Sequence, residues 1–169
     1  EADAIYAGIL IDTNNFVSKT GVRTFEAAAF LRRAGADVTR VRKMFREHVE
    51  DYRAKGEAIR NAELFREHFA ISVCPSEGLD SPTVVGAQAA NELLNIIGVK
   101  ASFVLTDYRN TIYISARSID EINVQIVMER LGGGGHLNIA GAQLEHYSIT
   151  EAKDVLKQTL QKMLDEGDI

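Results

Sequence analysis

The chain opens on an almost continuous apolar run, AIYAGILID, at residues 4–12. Short runs of this kind are typical of strands buried on both faces of a parallel sheet, so we expect a strand at residues 4–11. A sheet strand needs neighbours, and few residues precede this one. We therefore interpret the chain as a fragment cut inside a larger domain, with a processed natural N-terminus as the alternative.

Helical spacing replaces this pattern after residue 22. The stretch RTFEAAAFLRRAGAD, residues 23–37, predicts a helix with Gly35 as its C-terminal stop. Between residues 38 and 65, apolar residues recur every three or four positions, which predicts one long or two shorter amphipathic helices with Gly56 as the weak point. The apolar positions of this stretch contain little leucine, which favours a connector between two lobes over a coiled coil.

Short strands and helices alternate from residue 68 onward. The predicted strands are HFAISVC (68–74), a hairpin whose arms flank residues 107–110, and AGAQLEHYSI (140–149). The predicted helices are TVVGAQAANELLNI (83–96), NVQIVMERL (123–131) and TEAKDVLKQTLQKMLDEG (150–167). Thr150 is the N-cap candidate of the last helix.

These elements predict an α/β fold in two parts. Residues 1–67 read as the C-terminal remnant of a parallel-sheet domain followed by a helical connector. Residues 68–169 read as a small α/β domain with a mixed sheet, and the boundary falls where the helical texture ends.

Composition adds limits on the compartment and the partners. The chain has 169 residues, 46% of them apolar, which is ordinary for a globular protein. Its apolar runs are too short for a membrane span. The single cysteine, Cys74, cannot form an internal disulfide, which favours a reducing compartment. A net charge of −5 gives no general attraction to nucleic acid.

Four consecutive glycines precede a histidine in LGGGGHLNIAGAQL, residues 131–144. Glycines let backbone N–H groups approach a ligand closely and form an anion-binding nest. A flexible loop is the alternative, although four glycines cost more conformational entropy than a permissive loop needs. His136 directly after them could donate to a phosphate oxygen or act as an acid or base near neutral pH. The spacing matches neither the dinucleotide fingerprint nor the phosphate loop of nucleoside triphosphatases.

Two further residues are candidates on their position alone. Arg117 ends a predicted strand, where its guanidinium could bind a phosphate or simply lie exposed on an edge strand. Asp12 follows the first apolar run, where its carboxylate could bind a hard cation or begin a turn. One carboxylate cannot hold a catalytic metal, and the chain contains no D-x-D or H-x-x-x-H pattern. We therefore expect this chain alone to lack a complete metal centre.

Two stretches resemble a known family. LGGGGHLNIAGAQL, preceded by ISARSIDEINVQIVMERL, is similar to the signature of the DHH-associated C-terminal domain of DHH-superfamily phosphoesterases. GILIDTNNFVSKTGVRTFEAAAFLRRAGAD resembles the last metal-binding motif of the catalytic DHH domain that precedes it. The long glycine signature is most similar to that of the cyclic-di-AMP phosphodiesterases of the GdpP type. The Asp-His-His triplet that names the superfamily does not occur in this chain.

The resemblance implies roles for residues that match the motifs. Asp12 would be a ligand of a two-manganese centre, and Arg117 would contact a substrate phosphate. The glycine–histidine motif would bind the phosphate and sugar of the substrate through Gly133, Gly134, Gly135 and His136. The implied reaction is the metal-assisted hydrolysis of cyclic-di-AMP to pApA. No catalytic set is complete in this chain, so we expect it to be inactive by itself.

The resemblance also implies an organisation. Residues 1–67 would be the C-terminal part of the DHH catalytic domain plus the connector, and residues 68–169 the DHH-associated substrate-binding domain. The implied partners are a cyclic dinucleotide or short oligonucleotide and the missing N-terminal catalytic lobe, with a homodimer also open. The piece would be cytoplasmic and make no membrane contact, within a parent protein anchored in the cell membrane.

Two other functions stay open at this point. The superfamily also contains enzymes of the nanoRNase type, which act on short oligonucleotides or 3′-phosphoadenosine 5′-phosphate. Related C-terminal domains accompany alanyl-tRNA synthetases and exonucleases, so a non-catalytic nucleic-acid-binding module is the other alternative. The acidic net charge weighs against this last alternative.

Overall fold

The computed structural model describes residues 1–119 and 121–169. The chain folds into two compact units, Glu1–Glu47 and His48–Ile169. The predicted α/β class is confirmed, since the described residues form seven helices and one six-stranded mixed sheet. The second unit begins ahead of the boundary predicted between residues 67 and 68, and that domain boundary stays a prediction.

The regular elements among the described residues of the first unit are all helices. Its helices are α1 (Ala2–Asp12), α2 (Val22–Arg33) and α3 (Val38–Met44). Asp3 of α1 accepts hydrogen bonds from the backbone N–H of Asp37 and from Nε of Arg40, both at 2.7 Å, and so ties the start of α1 to the start of α3. These two bonds hold the pKa of the Asp3 carboxyl below its usual value.

The strand predicted at residues 4–11 is wrong, because these residues form most of α1. Within the described part of this unit no strand is present to pair with the run, and a helix satisfies its own backbone hydrogen bonds. A short apolar run does not distinguish a strand from a helix by periodicity. The helix following it is confirmed as α2, and Gly35 lies just beyond its end with φ at +100°.

The amphipathic stretch at residues 38–65 forms two helices and the first strand. After α3 ends at Met44, α4 runs from Val49 to Arg60. Gly56 lies inside α4, so its prediction as the weak point is wrong; the break falls between the two helices instead. The end of the stretch is strand β1 (Glu63–Phe65), which sequence periodicity had assigned to a helix.

The second unit, which contains α4, is built on one six-stranded sheet. Its strands, with β1 first, are β2 (Phe69–Cys74), β3 (Ala101–Tyr108), β4 (Thr111–Ser118), β5 (Gly134–His136) and β6 (Ile139–Glu145). They lie in the order β1-β2-β3-β4-β6-β5. β2 and β3 are parallel and the other pairs are antiparallel. The predicted hairpin is confirmed as β3–β4.

Helices cover the sheet unequally on its two sides. The remaining helices of the unit are α5 (Pro82–Leu93), α6 (Val124–Arg130) and α7 (Ile149–Glu166). One apolar cluster joins α6 and α7 to the sheet and includes Phe103, Met128 and Leu160. A second cluster joins α4 and α5 to β2 and β3 on the opposite side. The outward sides of β4 and β6 therefore remain accessible beside α5.

Helix α5 packs very closely on β3. A Cβ atom placed on Gly86 would overlap Oγ1 of Thr106, so only glycine permits this approach. Further along the same helix, the buried hydroxyl of Ser102 donates to the carbonyl oxygen of Ala90 at 2.6 Å. These contacts fix the position of α5 beside the open part of the sheet.

The closing helix begins earlier than its sequence predicts. Ser148, not Thr150, is the N-cap of α7. The Ser148 hydroxyl accepts from the backbone N–H of Glu151 at 3.3 Å, and the Glu151 carboxylate accepts from the backbone N–H of Ser148 at 2.8 Å. This reciprocal capping box satisfies two N–H groups that would otherwise lack partners, which explains why the serine is used.

Candidate functional site

The open face of the sheet next to α5 carries the predicted phosphate-binding residues. Along β4, Ile112, Ile114, Ala116 and Ser118 are buried, and the residues between them are partly exposed on the other face. The same alternation continues in β6, where Ala140, Ala142 and Leu144 are buried. The open face is therefore formed by the intervening residues of these two strands and by β5 beyond them.

Strand register brings Arg117 and His136 into one row across this face. Arg117 pairs with Ile139 of β6, and Ile139 pairs with His136 of β5. Residues that are directly opposite in an antiparallel pair point to the same face. The sheet thus places the two predicted side chains on the same surface, separated by one strand.

The next row along the strands consists of three small residues. Ser115 of β4 pairs with Gly141 of β6, which pairs with Gly134 of β5. The row beyond it contains Tyr113 paired with Gln143. A row of small residues between two rows of larger ones forms a depression in the sheet surface.

A cleft of about 480 Å³ occupies this depression. Its volume is within the range of small-molecule sites. Thr83 in the first turn of α5 contributes to its wall. The lining residues are Thr83, Tyr113, Ile114, Ser115, Gly132, Gly133, Gly134, Gly141, Ala142 and Gln143. None of them is acidic, so no lining carboxylate would repel an anionic ligand.

Three of the four consecutive glycines have a structural reason to be glycine. A Cβ atom on Gly133 would lie 2.7 Å from Cα of Ala142, and one on Gly135 would lie 2.5 Å from Cα of Ala140. Gly132 has φ at +78° and Gly135 has φ at +150°. These residues let the chain turn after α6 and pack its backbone directly on β6.

Gly134 is different from its neighbours. A Cβ atom there would meet no atom within 4 Å, and its φ is not positive. Its missing side chain is therefore explained neither by packing nor by backbone conformation within the described residues. Because Gly134 lines the cleft, the space that it leaves open is part of the cleft.

Arg117 is oriented by the protein and keeps one nitrogen available. Its Nε donates to Oδ1 of Asn91 in α5 at 3.0 Å, and Nη1 donates to the carbonyl oxygen of Ala116 at 2.8 Å. Partial burial lowers the pKa of the guanidinium, which nevertheless stays protonated at neutral pH. Among the residues described, none accepts a hydrogen bond from Nη2. β4 is an inner strand of the sheet, so the alternative of an edge-strand arginine does not apply.

His136 is the last residue of β5 and its side chain is exposed. The two residues that follow, Leu137 and Asn138, form the turn into β6. The turn is held to the rest of the unit, because Val124 N–H donates to Leu137 and Ser118 N–H donates to Asn138. The imidazole therefore stands on an anchored hairpin and not on a loose loop.

Asp12 belongs to the first unit, at the C-terminal end of α1, and it is exposed. The following turn is tight: Thr13 Oγ1 donates to Ile9 and accepts from the backbone N–H of Phe16. Across residues 1–119 and 121–169, no group of three potential His, Cys, Asp or Glu ligands is present. One carboxylate does not fit a two-metal centre.

A match to a family model shows which protein family this chain belongs to. The model described as the DHHA1 domain matches residues 68–163, which is more than half of the chain. The chain belongs to the DHHA1 family. The match covers β2 to α7, and with them the cleft, Arg117, the glycine run and His136. The resemblance to DHH phosphoesterases predicted from the sequence is thereby confirmed.

Curated relatives of the DHHA1 chain include cyclic-di-AMP phosphodiesterases. GdpP of Bacillus subtilis is 42% identical over 169 residues, which is 99% of this chain and 26% of that protein. PdeA of Listeria monocytogenes is 42% identical over 157 residues, 92% of this chain and 24% of that protein. The chain thus spans about a quarter of the length of these relatives.

A solved structure shows the same fold. An exopolyphosphatase-related protein from Bacteroides fragilis matches with a TM-score of 0.85 at 24% identity, over 96% of this chain and 50% of that one. Within the described residues, no helix is both long and apolar enough to cross a membrane.

Sequence reasoning did not identify all the residues that line the DHHA1 cleft. Tyr113, Gln143, Ser115 and Thr83 were missed, because each is an ordinary surface residue in its own segment. The alternation of buried and exposed positions along β4 could have placed Tyr113, Ser115 and Arg117 on one face. The pairing of β6 with both β4 and β5 is a long-range feature that no local pattern indicates.

Proposed function

We propose that this chain is the substrate-binding part of a phosphodiesterase that hydrolyses cyclic-di-AMP to pApA. The observation that carries the proposal is the row formed by Arg117, Ile139 and His136 beside the Gly134 depression. These two hydrogen-bonding side chains, one of them cationic, lie in the row next to a cleft that has no acidic lining, although neither is itself a lining residue. The identity to cyclic-di-AMP phosphodiesterases supports this choice of substrate.

In this proposal Arg117 holds a substrate phosphate. Its Nε bond to Asn91 sets the plane of the guanidinium, and Nη2 is left for a phosphate oxygen. His136 donates to the same phosphate or to the sugar from the other side of Ile139. Gly133, Gly134 and Gly135 keep the backbone of β5 close to the ligand, with Gly134 providing the space in which the ligand lies.

Asp12 is proposed as one ligand of a manganese centre in the whole protein. Manganese ions would supply the activation of water and the stabilisation of charge on the phosphorus that phosphodiester hydrolysis requires. The remaining ligands are not a cluster among the residues described. We therefore propose that this chain binds substrate without hydrolysing it, as a cytoplasmic part of a membrane-anchored protein.

The first test is binding of cyclic-di-AMP to the 169-residue chain, measured by isothermal titration calorimetry. We expect Arg117→Ala and His136→Ala each to weaken binding about tenfold or more, since each removes a hydrogen bond to an ionised group. Arg53→Ala is the matched control, because Arg53 is an exposed arginine on α4 of the same unit. If the native chain and all three variants bind cyclic-di-AMP with equal affinity, the proposed site is overturned.

The second test is hydrolysis. We expect no release of pApA when the chain is incubated with cyclic-di-AMP and manganese. Release of pApA would contradict the proposal that this chain lacks a complete metal centre. The whole protein is then assayed on cyclic-di-AMP and on pApA separately. Cleavage of pApA with cyclic-di-AMP left intact would replace the proposed substrate by that of a nanoRNase-type enzyme.

A further inference from the structure

One wall of the cleft is not used by the phosphate-binding proposal. This wall is formed by Tyr113 of β4 and Gln143 of β6, which are directly paired. Directly paired residues of antiparallel strands have Cβ atoms about 4.5–5.5 Å apart, so the phenol ring and the amide lie side by side. Both residues line the cleft.

The polar groups of this wall are free to bind a ligand. Within the described residues, no protein group forms a hydrogen bond with the Tyr113 hydroxyl or the Gln143 amide. Arg117, two residues beyond Ser115 on the same strand and outside the cleft lining, is by contrast tied to Asn91 and Ala116. Gln143 is exposed, so water satisfies its amide until a ligand replaces that water.

The Tyr113 row within the cleft and the Arg117 row beside it are spaced for the two ends of a nucleotide. Alternate residues of a strand are about 7 Å apart, so the Tyr113 row and the Arg117 row each lie about 7 Å from the Ser115 row between them. A phosphate held at Arg117 then places the attached sugar over the small residues, Ser115, Gly141 and Gly134. The base that follows the sugar reaches Tyr113 and Gln143.

The chemistry of this wall matches a purine and selects between the two common ones. A tyrosine ring offers a face on which any base can stack. A glutamine amide presents one donor group and one acceptor, which match N7 and N6 of adenine as a bidentate pair. Guanine presents two acceptors, N7 and O6, on the same edge and accepts only one hydrogen bond pattern there, with no donor for the amide oxygen; it would have to turn its Watson–Crick edge toward Gln143 to form two bonds.

We propose that Tyr113 and Gln143 form the base-recognition wall of the cleft, with Tyr113 stacking on the base and Gln143 selecting adenine over guanine. This inference rests on the proposed function, because it requires a nucleotide phosphate bound at Arg117. Tyr113 contributes affinity for any base, whereas Gln143 contributes the preference.

The test uses AMP, GMP and inorganic phosphate as probes of the full 169-residue chain, titrated by calorimetry. We expect the native chain to bind AMP about tenfold more tightly than GMP. In Gln143→Leu the affinity for AMP should fall to that for GMP, while inorganic phosphate binds as before. Tyr113→Ala should weaken AMP and GMP by similar factors, and Tyr113→Phe should retain most of the affinity.

Glu145→Gln is the matched control for Gln143→Leu. Glu145 is exposed on the same strand and face, two residues further along, and it does not line the cleft. We expect the ratio of its AMP affinity to its GMP affinity to equal that of the native chain. Both Gln143 and Glu145 are exposed, so these variants should fold, and equal melting temperatures check this.

The outcomes distinguish a failure of the base-recognition wall from a failure of the proposed function. If neither AMP nor phosphate binds the native chain, the proposed function fails, and the inference fails with it. If AMP binds and Arg117→Ala weakens it, but Gln143→Leu keeps the native AMP-to-GMP ratio, only the base-recognition wall is overturned. A change in the ratio that appears in Gln143→Leu and not in Glu145→Gln supports it.

Discussion

Gly133 packs its Cα directly against the backbone of Gly141, so that a Cβ atom on Gly133 would overlap the carbonyl oxygen of Gly141. The next residue, Gly134, pairs with the same Gly141 yet has open space where its Cβ would be. Packing therefore accounts for glycine at position 133, whereas at position 134 we propose that the bound ligand accounts for it.

This difference predicts that alanine lowers stability at position 133 and ligand affinity at position 134. Gly133→Ala should lower the free energy of unfolding by about 1–3 kcal/mol, because backbone must move to admit the methyl group. Gly134→Ala should change stability by less than about 0.5 kcal/mol but weaken the binding of cyclic-di-AMP. Urea denaturation and calorimetry measure the two effects. Equal loss of stability in both variants would contradict the assignment.

Asn91 is predicted to act on phosphate binding through Arg117. Arg117→Lys should weaken cyclic-di-AMP binding about tenfold, because an ammonium group cannot make the forked contacts of a guanidinium. Asn91→Ala should weaken binding severalfold by releasing Nε of Arg117. In the Arg117→Lys background, Asn91→Ala should have little further effect, as expected for coupled residues.

Asn95→Ala provides the control for that prediction. Asn95 is an exposed asparagine just beyond the end of α5, where it bonds Glu92. We expect its affinity to equal that of the native chain. Additive losses in the double variant of Asn91 and Arg117 would show that Asn91 does not work by positioning the guanidinium.

The buried thiol of Cys74 predicts a loss of stability at alkaline pH. Burial, aided by the nearby charge of Glu57, raises the pKa of Cys74 from 9.0 to about 11. Because the folded-state pKa is the higher one, this contribution to stability is complete below pH 9 and is lost as the pH rises through 11. The expected loss is about 2–3 kcal/mol.

Cys74→Ala is the control, because it keeps every tyrosine and lysine that also titrates in this range. Urea denaturation of both proteins between pH 8 and 11 gives the comparison. The free energy of unfolding should fall more steeply for the native chain than for Cys74→Ala. Parallel curves would mean that the thiol titrates alike in the folded and unfolded chain.

The capping box of α7 predicts unequal effects of two hydroxyl residues. Ser148→Ala should cost about 1 kcal/mol of stability, because the N–H of Glu151 loses its acceptor. Thr150→Ala should cost little, since Thr150 is exposed within the first turn. Urea denaturation at pH 7 measures both, and a larger loss at Thr150 would restore the N-cap that the sequence alone suggested.

Local patterns predicted most elements of the second unit because the information lies within each segment. The β3–β4 hairpin and α5 to α7 follow from periodicity, turn residues and capping. The apolar run at α1 carries no periodicity, and its type depended on whether a partner strand was present. β1 has three residues, too few to interrupt the helical pattern before it.

The candidate site was only partly visible in the sequence, for a related reason. Arg117 and His136 each belong to a motif that can be recognised in the sequence. The sheet places both in one row, which is the arrangement expected if they bind one ligand. Tyr113 and Gln143 carry no motif and become neighbours only through the β4–β6 register. Pairing between distant segments is set by the whole core, so such residues appear only once the sheet is built.

The two outermost strands of the sheet, β1 and β5, have three residues each. An outer strand exposes unpaired N–H and C=O groups to which a second chain can add, and the number of such groups grows with its length. Beyond these short strands, residues 72–74 of β2 and 142–145 of β6 have no partner strand on that side among the described residues. The edges to which a second chain could add therefore lie along parts of β2 and β6 as well as along β1 and β5.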